Sequence, residues 1–469
     1  MSEHPARAAA TPSLLSALVD ALGGDIARVA TGDSELDLHG ADLTFHAPHR
    51  PDVVVYPLTT AEVGSVLAVA DELRVPVTPF AAGTSLEGHV IPVAGGISLD
   101  LTRMDRIVSV DPANLTAVVQ PGVPRSALER AAGEHGLFFP VDPGADATLG
   151  GMAATNAAGT TTPRYGKMRA NVLALEAVLP GGRVIRTGSG ALKTSAGYDL
   201  TGLFVGSEGT LGVITELTLR LHGIPEHAVA LRIAFPDVEA ASRAAVGAVA
   251  AGVGVTRLEL LDATNVAAAN AWSGTAFPEV PCLFVEAAGT EASVEGDLEL
   301  VVALAEQEGA VEIVHEREAE ARSRLWAARH GTAYGWARLW PGRRHCSTDV
   351  AVPLSELPGA VAVARATVER LGLKAGILGH VGDGNVHVGV MVDADDPAEI
   401  AALEELSRVL VADALARGGT CTGEHGVGLG KRASLALEHP DLLPLLRGVK
   451  AVFDPNGIMN PGKVIPDAL

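Results

Sequence analysis

From Pro51 onward, short apolar runs of strand length alternate with segments of helical period, and near residue 228 that alternation changes character. PDVVVYP has the β-branched content of a strand. TTAEVGSVLAVADELR follows as a helix, opened by a Thr cap and carrying an apolar stripe at Val63, Val66, Leu67 and Ala70. VPVTPF is the next strand. The same grammar runs through GISLDL, IVSVDPANLTAVVQPG, SALERAAGEHG, NVLALEAVLPGGRVIR and GVITELTLRLH, and predicts an α/β or α+β first domain. Beyond residue 228, HAVALRIAF, TRLELLD, CLFVEAAG, GILGHV and VHVGVMVD predict strands set between Ala-rich helices. They predict a second, α+β domain on an antiparallel sheet. The expected divisions are a helical arm over 1–48, a first domain over 49–227, a second over 228–420 and a closing segment over 421–469.

Three stretches of the first domain are crowded with small residues: PFAAGTSLEG from Pro79, PGADATLGGMAATNAAG from Pro143 and GSEGTLGVI from Gly206. Small residues let a backbone approach a bulky ligand, and glycine at positive φ lets successive amides converge on a diphosphate. None of the three is GxGxxG after a first strand, and none contains GK[ST], so a nicotinamide-type Rossmann domain and a nucleotide triphosphatase are disfavoured. Tight turns and close helix packing also use glycine, so each stretch alone leaves both readings open. Three of them, each bordering a strand, suit a long ligand such as a dinucleotide lying across the domain.

Charge narrows the partners. The 469 residues hold 56 acidic against 35 basic side chains, a net charge of -21. That balance excludes a phosphate-backbone binder, which needs a basic footprint, and docking on an anionic membrane by charge. No run of about 18 apolar residues reads as a membrane span. Cys282, Cys346 and Cys421 lie far apart and form no CxxC, so buried thiols in a reducing compartment are expected. The first residues carry Glu3 and no basic head before an apolar block, and SLLSALVDAL reads as a short amphipathic helix. A cytoplasmic location is expected, with no membrane span and no nucleic-acid partner. A homodimer is compatible with the sequence.

The second domain carries titratable residues at suggestive spacing. GILGHVGDGNVHVGVMV reads as a hairpin turning on Asp383-Gly384. That register sets His380 opposite His387, with Cβ atoms roughly 5 Å apart. Two imidazoles so placed could hold one divalent ion, zinc or manganese, given another ligand and an open position. A His pair across a hairpin is more often a stacking or surface pair, so the spacing alone does not decide. Farther on, Glu424 and His425, flanked by Gly423 and Gly426, could offer one carboxylate to a metal and one imidazole to a substrate.

Taken together, AAGTSLEG, ATLGGMAATNAAG, AGYDLTGLFVGSEGTLG and the NPGKV tail resemble the FAD-binding domain of the vanillyl-alcohol oxidase family. STDVAVPLSEL, GHVGDGNVH, GTCTGEHGVGLGK and DPNGIMNPGKV resemble its D-lactate dehydrogenase branch, which also includes glycolate oxidase and D-2-hydroxyglutarate dehydrogenase subunits. The resemblance covers about residues 49–466. It implies an α+β fold: a PCMH-type FAD-binding domain of two α+β subdomains, and an α+β cap domain with an antiparallel sheet. It implies FAD contacts from Gly83, Thr84, Ser85, Leu86 and Gly88 in the first stretch. Further contacts are implied from Pro143, Thr148, Gly151, Asn156, Gly159, Glu208 and Ile214, and from Asn460 in the tail. Thr84 falls where covalently tethered members carry His, and His89 lies beyond it, so the FAD is expected to be non-covalent. The resemblance also implies metal ligation by His380, His387 and Glu424, proton abstraction by His425 and substrate carboxylate binding by Arg329. Arg343 and Arg344 are nearby alternatives for that last role. A planar guanidinium fork matches a carboxylate in two bonds.

The expected reaction is oxidation of D-lactate or a similar small D-2-hydroxy acid to the 2-oxo acid. Metal-assisted deprotonation of the hydroxyl would accompany hydride transfer to flavin N5. A quinone, cytochrome or carrier protein would take the electrons. Three departures weigh against 2-hydroxyglutarate. Ser347, Ala333 and Gly389 stand where the hydroxyglutarate enzymes carry Lys, Thr and Asn, groups able to hold a distal carboxylate. The alternatives are a D-2-hydroxyglutarate or glycolate dehydrogenase, a non-redox transferase of the alkylglycerone-phosphate synthase type, and a flavin-free metallohydrolase.

Overall fold

Thr59 opens the helix Thr60–Leu73 by accepting the Glu62 amide on its hydroxyl, and the chain leaves the helix through Arg74 at φ 56°. The expected stripe of Val63, Val66, Leu67 and Ala70 is buried. Each such Val or Leu contributes about 1.5–3 kcal/mol by leaving water. The stripe packs with the parallel strands Val53–Val55, Ile97–Asp100 and Val77–Phe80. Val29–Ala30 joins that sheet antiparallel. A second, five-stranded antiparallel sheet runs in the order Ile107–Asp111, Thr116–Val119, Val213–Arg220, Val172–Val178 and Val184–Gly188. The tail returns to the parallel sheet, where the Val77 amide donates to Ile458 O and the Asn460 amide donates to Val77 O. Two α+β layers therefore build the first unit, as the family fold implies.

The computed structural model describes residues 11–466. The first ten residues of the expected helical arm lie outside them. Within the arm, Pro12–Ala21 is a helix capped by Thr11. The chain divides into two units. The first comprises Met1–Ala157, Lys167–Ile224 and Glu424–Leu469; the second comprises Ala158–Gly166 and Pro225–Gly423.

The second unit is built on an eight-stranded antiparallel sheet. Its main path runs Glu312–Glu316, His227–Ala234, Cys282–Gly289, Val255–Leu261, Ala375–His380, Asn385–Val392 and Arg344–Ser347, with Val350–Ala351 pairing beside Asn385–Val392. Side chains alternate across a strand, and here the alternation separates two chemistries. Leu258, Leu260, Val285, Ile377, Val386 and Val388 point into one apolar core, shared with the helices Val238–Ala250, Glu291–Gln307, Leu357–Leu371 and Pro397–Ala416. The opposite face carries Arg257, Glu259, Glu286, His380 and His387. It is covered by the helices Ala263–Ser273, Ala319–His330 and Thr332–Leu339, which bury Val266, Leu325, Trp326 and Trp336. The polar groups of this face must therefore satisfy one another rather than water.

Asp262 fixes that covering layer. Its carboxylate accepts the Asn265 amide at 2.9 Å, capping the helix Ala263–Ser273, and the Ile377 amide of the neighbouring strand at 2.7 Å. Burial pushes its pKa up to about 6 despite these bonds. Cys282, Cys346 and Cys421 are all buried.

Candidate functional site

The hairpin is present, but its register differs from the expected one. Leu378 pairs with His387 and Ile377 with Val388. The connection holds four residues, 381–384, rather than the two of an Asp383-Gly384 turn. The Asp383 amide donates to His380 O, and Gly384 takes φ +81° where a Cβ would meet Val352 O at 2.1 Å. The loop is thus pressed on the neighbouring backbone, a contact that the turn dipeptide did not announce. The shift is of two residues, so each side chain keeps its face. His380 and His387 become diagonal neighbours on one face, with ring centroids 5.5 Å apart and planes at 87°.

Each ring is held by its Nδ1. His380 Nδ1 lies 2.8 Å from Glu259 Oε1, and His387 Nδ1 lies 3.0 Å from the carbonyl of Thr348 and 3.8 Å from Asp349 Oδ1. A carboxylate and a carbonyl only accept, so both Nδ1 atoms carry the proton in the neutral rings. Nε2 is then the nitrogen of each that can ligate. Metal-binding histidines are held in this way, with the other ring N–H given to a carboxylate or carbonyl. The donor set therefore fits a divalent ion.

Asp349 is braced by the Asn385 amide group at 2.7 Å and the Thr422 hydroxyl at 2.7 Å. Gly423 packs so closely here that a Cβ would meet Asn385 Nδ2 at 2.1 Å. Glu424 follows it directly in the chain.

Arg329 is buried near the end of the helix Ala319–His330. Its Nε and Nη2 donate to Glu259 Oε2 at 3.0 and 2.7 Å. The guanidinium that the resemblance assigns to a substrate carboxylate is thus already anchored on one edge. The alternatives sit elsewhere. Arg343 pairs with Glu399, and Arg344 is exposed on the apolar-core face of the sheet. Beside the His pair, a Cβ on Gly389 would meet His345 Nε2 at 3.1 Å and Trp336 Cζ2 at 3.2 Å. Trp336 is 1% exposed and donates from Nε1 to Asn265. The position that carries Asn in the hydroxyglutarate enzymes is therefore walled by two rings.

In the first unit, the loop after Val77–Phe80 holds Gly83 at φ +64° and Gly88 at φ +74°, where a Cβ would meet His46 and Leu429 at 2.9 Å. Between them lie Thr84, Ser85 and Leu86. The Ser85 hydroxyl is buried and has no hydrogen-bond partner among the described residues. A buried donor without a protein partner beside a glycine-built cradle fits a bound polar cofactor. In the second stretch, which follows Pro143, Thr148 accepts the Gly151 amide and opens the helix Leu149–Thr155; Asn156 closes it at φ 53°. The Asn156 side chain then accepts the Arg169 amide at 3.0 Å. Gly159 falls in the second unit, where its amide donates to the Thr162 hydroxyl. Ile214 is buried on Val213–Arg220.

Glu208 and Asn460 have structural duties for their side chains. The Glu208 carboxylate accepts the Val427 and Gly428 amides at 2.7 and 2.8 Å and lies 3.2 Å from His89 Nε2. Burial alone would push its pKa up, but His89 and the two amides outweigh that and hold it below the usual carboxylate range. Asn460 donates to the carbonyls of His89 and Glu208. His425 is half-buried, with Nδ1 3.7 Å from Glu87 Oε1; Lys431 Nζ lies 3.4 Å from the same oxygen. Glu87, Glu259 and Asp349 went unassigned in the sequence. Glu87 stands inside the first glycine stretch. The other two look like single polar residues on half-buried strands.

The family described as FAD linked oxidases, C-terminal domain, matches residues 224–464, and a family described as FAD binding domain matches residues 51–188. A probable mitochondrial D-lactate dehydrogenase of Danio rerio is 41% identical, over 98% of this chain and 93% of that protein. A mitochondrial D-lactate dehydrogenase (cytochrome) of Arabidopsis thaliana is 40% identical, over 94% of this chain and 78% of that one. A glycolate oxidase subunit of Bacillus subtilis (strain 168) is 34% identical, over 91% and 92%. Among solved structures, p-cresol methylhydroxylase with substrate bound is similar at TM-score 0.79 and 21% identity, over 97% of each chain. An alkyldihydroxyacetonephosphate synthase is similar at TM-score 0.71 and 18% identity, over 93% of this chain and 82% of that one. At those identities the two structures show the PCMH-type fold alone. With one family matched over 224–464 and a relative 41% identical across nearly the whole of both chains, this chain belongs to the FAD linked oxidases.

Proposed function

We propose that this protein oxidises D-lactate, or a similarly small D-2-hydroxy acid, to the 2-oxo acid with non-covalent FAD, and passes the electrons to a cytochrome or comparable acceptor. The observation that carries the chemistry is the buried His380–His387 pair, each ring fixed through Nδ1 with Nε2 left as its ligating nitrogen. The relatives named D-lactate dehydrogenase support the substrate, and two of those names include a cytochrome. The relative named as a glycolate oxidase subunit, at 34% identity, stands below the D-lactate dehydrogenases at 41% and 40%. The rings packed at Gly389 favour a short acid over 2-hydroxyglutarate.

Bound FAD supplies the hydride acceptor. His380, His387 and Glu424 would hold a zinc or manganese ion, which would supply Lewis-acid chemistry toward the substrate hydroxyl. The residues do the rest. Arg329, anchored by Glu259, turns its remaining edge to the substrate carboxylate. His425 takes the hydroxyl proton as general base, and the Glu87 carboxylate beside its Nδ1 stabilises the imidazolium that forms. In the first unit, the loop from Gly83 to Gly88 binds the cofactor diphosphate, with Ser85 as a donor.

The His425→Ala protein tests this reading. It is expected to bind FAD normally and to lose reduction of the flavin by D-lactate. Wild-type reduction removes His425 from the role of base.

A further inference from the structure

Glu259 occupies the middle of Val255–Leu261, and its side chain is 0% exposed. A fully buried carboxylate is costly to desolvate, and one guanidinium would suffice to neutralise it. Here the two oxygens are divided. Oε2 takes both Nε and Nη2 of Arg329, and Oε1 takes Nδ1 of His380. The strand pairing produces this division, because Glu259 stands directly opposite His380 in the sheet. Arg329 arrives from the helix packed on the same face.

We propose that Glu259 is a positioning residue that sets two features of the site with one carboxylate: the tautomer of His380 and the edge of Arg329 left for an anion. The inference rests on the roles proposed above for His380 and Arg329, and adds the group that couples them. An acceptor at Nδ1 forces the proton there and keeps the Nε2 lone pair for an ion. The same carboxylate uses the Nε–Nη2 edge of Arg329, so the Nη1–Nη2 edge faces elsewhere with its plane fixed. Among the described residues, Arg329 has no other side-chain acceptor.

Two substitutions separate the arms. In Glu259→Gln the amide has one acceptor and one donor. Its oxygen turns to the cation of Arg329, and its NH₂ turns to His380. His380 Nδ1 must then accept, which moves the ring proton to Nε2 and blocks ligation there. In Glu259→Met, of similar length, neither partner keeps an acceptor.

The experiment titrates Mn²⁺ or Zn²⁺ into chelator-treated, FAD-loaded protein against a competing indicator. It then measures KM and kcat for D-lactate at saturating ion. Glu259→Gln is expected to weaken the ion by about 10–100-fold while KM at saturating ion stays near wild type. Glu259→Met is expected to weaken the ion as much and also to raise KM by about tenfold or more, through loss of a charge-assisted anchor. Wild-type ion affinity in Glu259→Gln, or wild-type KM in Glu259→Met, overturns the proposal. If Glu259→Met does not fold, Glu259→Gln decides alone. His380→Ala/His387→Ala distinguishes the levels. If that double variant still binds the ion as wild type does, the ion site itself is wrong. If it loses the ion and Glu259→Gln does not, only the role of Glu259 falls.

Discussion

Gly379→Ala adds one carbon where the two strands of the His hairpin press on each other. A Cβ there would lie 2.4 Å from the Asn385 carbonyl oxygen and 3.3 Å from Val386 Cα, where ordinary contact begins at 3.4 Å. The shortfall to the oxygen is about 1 Å, and both sides of the clash are backbone. One strand must therefore move against the other by about that amount, at the 1–3 kcal/mol typical of overpacking. His380 is the next residue and His387 stands on the displaced partner strand, so the strain falls on the spacing of the two rings. A misplacement of about 1 Å in a reacting geometry costs on the order of 100-fold in rate. The assay is kcat for D-lactate with bound ion measured in parallel, alongside thermal melting and the flavin spectrum. Gly296→Ala is the control. It lies inside the helix Glu291–Gln307 with nothing within 4 Å of its Cβ, and should gain about 0.5–1 kcal/mol of stability with unchanged kcat. Gly379→Ala protein with kcat and ion content within about twofold of wild type would show that the hairpin takes the added carbon without moving the two rings, contrary to this prediction.

Three further outcomes are expected. Ser85→Ala removes a buried hydroxyl that has no protein partner; it should weaken FAD by about fivefold to tenfold in a fluorescence titration, without destabilising the FAD-free protein. Lys463 is buried, and desolvation pulls its pKa from 10.5 down to about 7, against the attraction of Glu208 and Asp42. The unfolded chain therefore binds more protons between those values, so this residue makes stability rise with pH from about 7 to about 10. Urea melts of the FAD-free protein should show that rise and its loss in Lys463→Met; a fall with pH in the wild type, absent from the variant, contradicts the sign. Trp336→Ala truncates a fully buried indole beside Gly389. It should cost about 3–5 kcal/mol and raise kcat/KM for longer D-2-hydroxy acids relative to D-lactate. An unchanged ratio in a substrate panel would mean that the indole does not limit the pocket.

The helix Thr60–Leu73 was legible in full, because cap, stripe and length are all local properties. The antiparallel sheet of the second unit was legible as strands in sequence, since Leu258, Leu260 and their neighbours alternate with polar residues. The hairpin register was not. Asp383-Gly384 announces a two-residue turn, but the pressure of Val352 on Gly384 comes from a segment about 30 residues away and sets a longer loop. Glu259 was hidden for a related reason. In TRLELLD a glutamate between two leucines reads as the solvated side of a half-buried strand. In this protein the second face is covered by helices as well, and that covering turns a surface residue into a buried hub. The glycine stretches were visible in sequence as runs of small residues. The use of Glu208 and Asn460 to tie the tail to the rest of the first unit depends on contacts across 200 residues or more.

A D-2-hydroxy acid is expected to deliver its electrons to FAD on this chain. Anaerobic addition of D-lactate to the FAD-loaded, ion-loaded protein tests it most directly, followed by the long-wavelength flavin absorbance. Bleaching by D-lactate is expected, with L-lactate and D-2-hydroxyglutarate far less effective. Flavin that stays oxidised under excess D-lactate would contradict it.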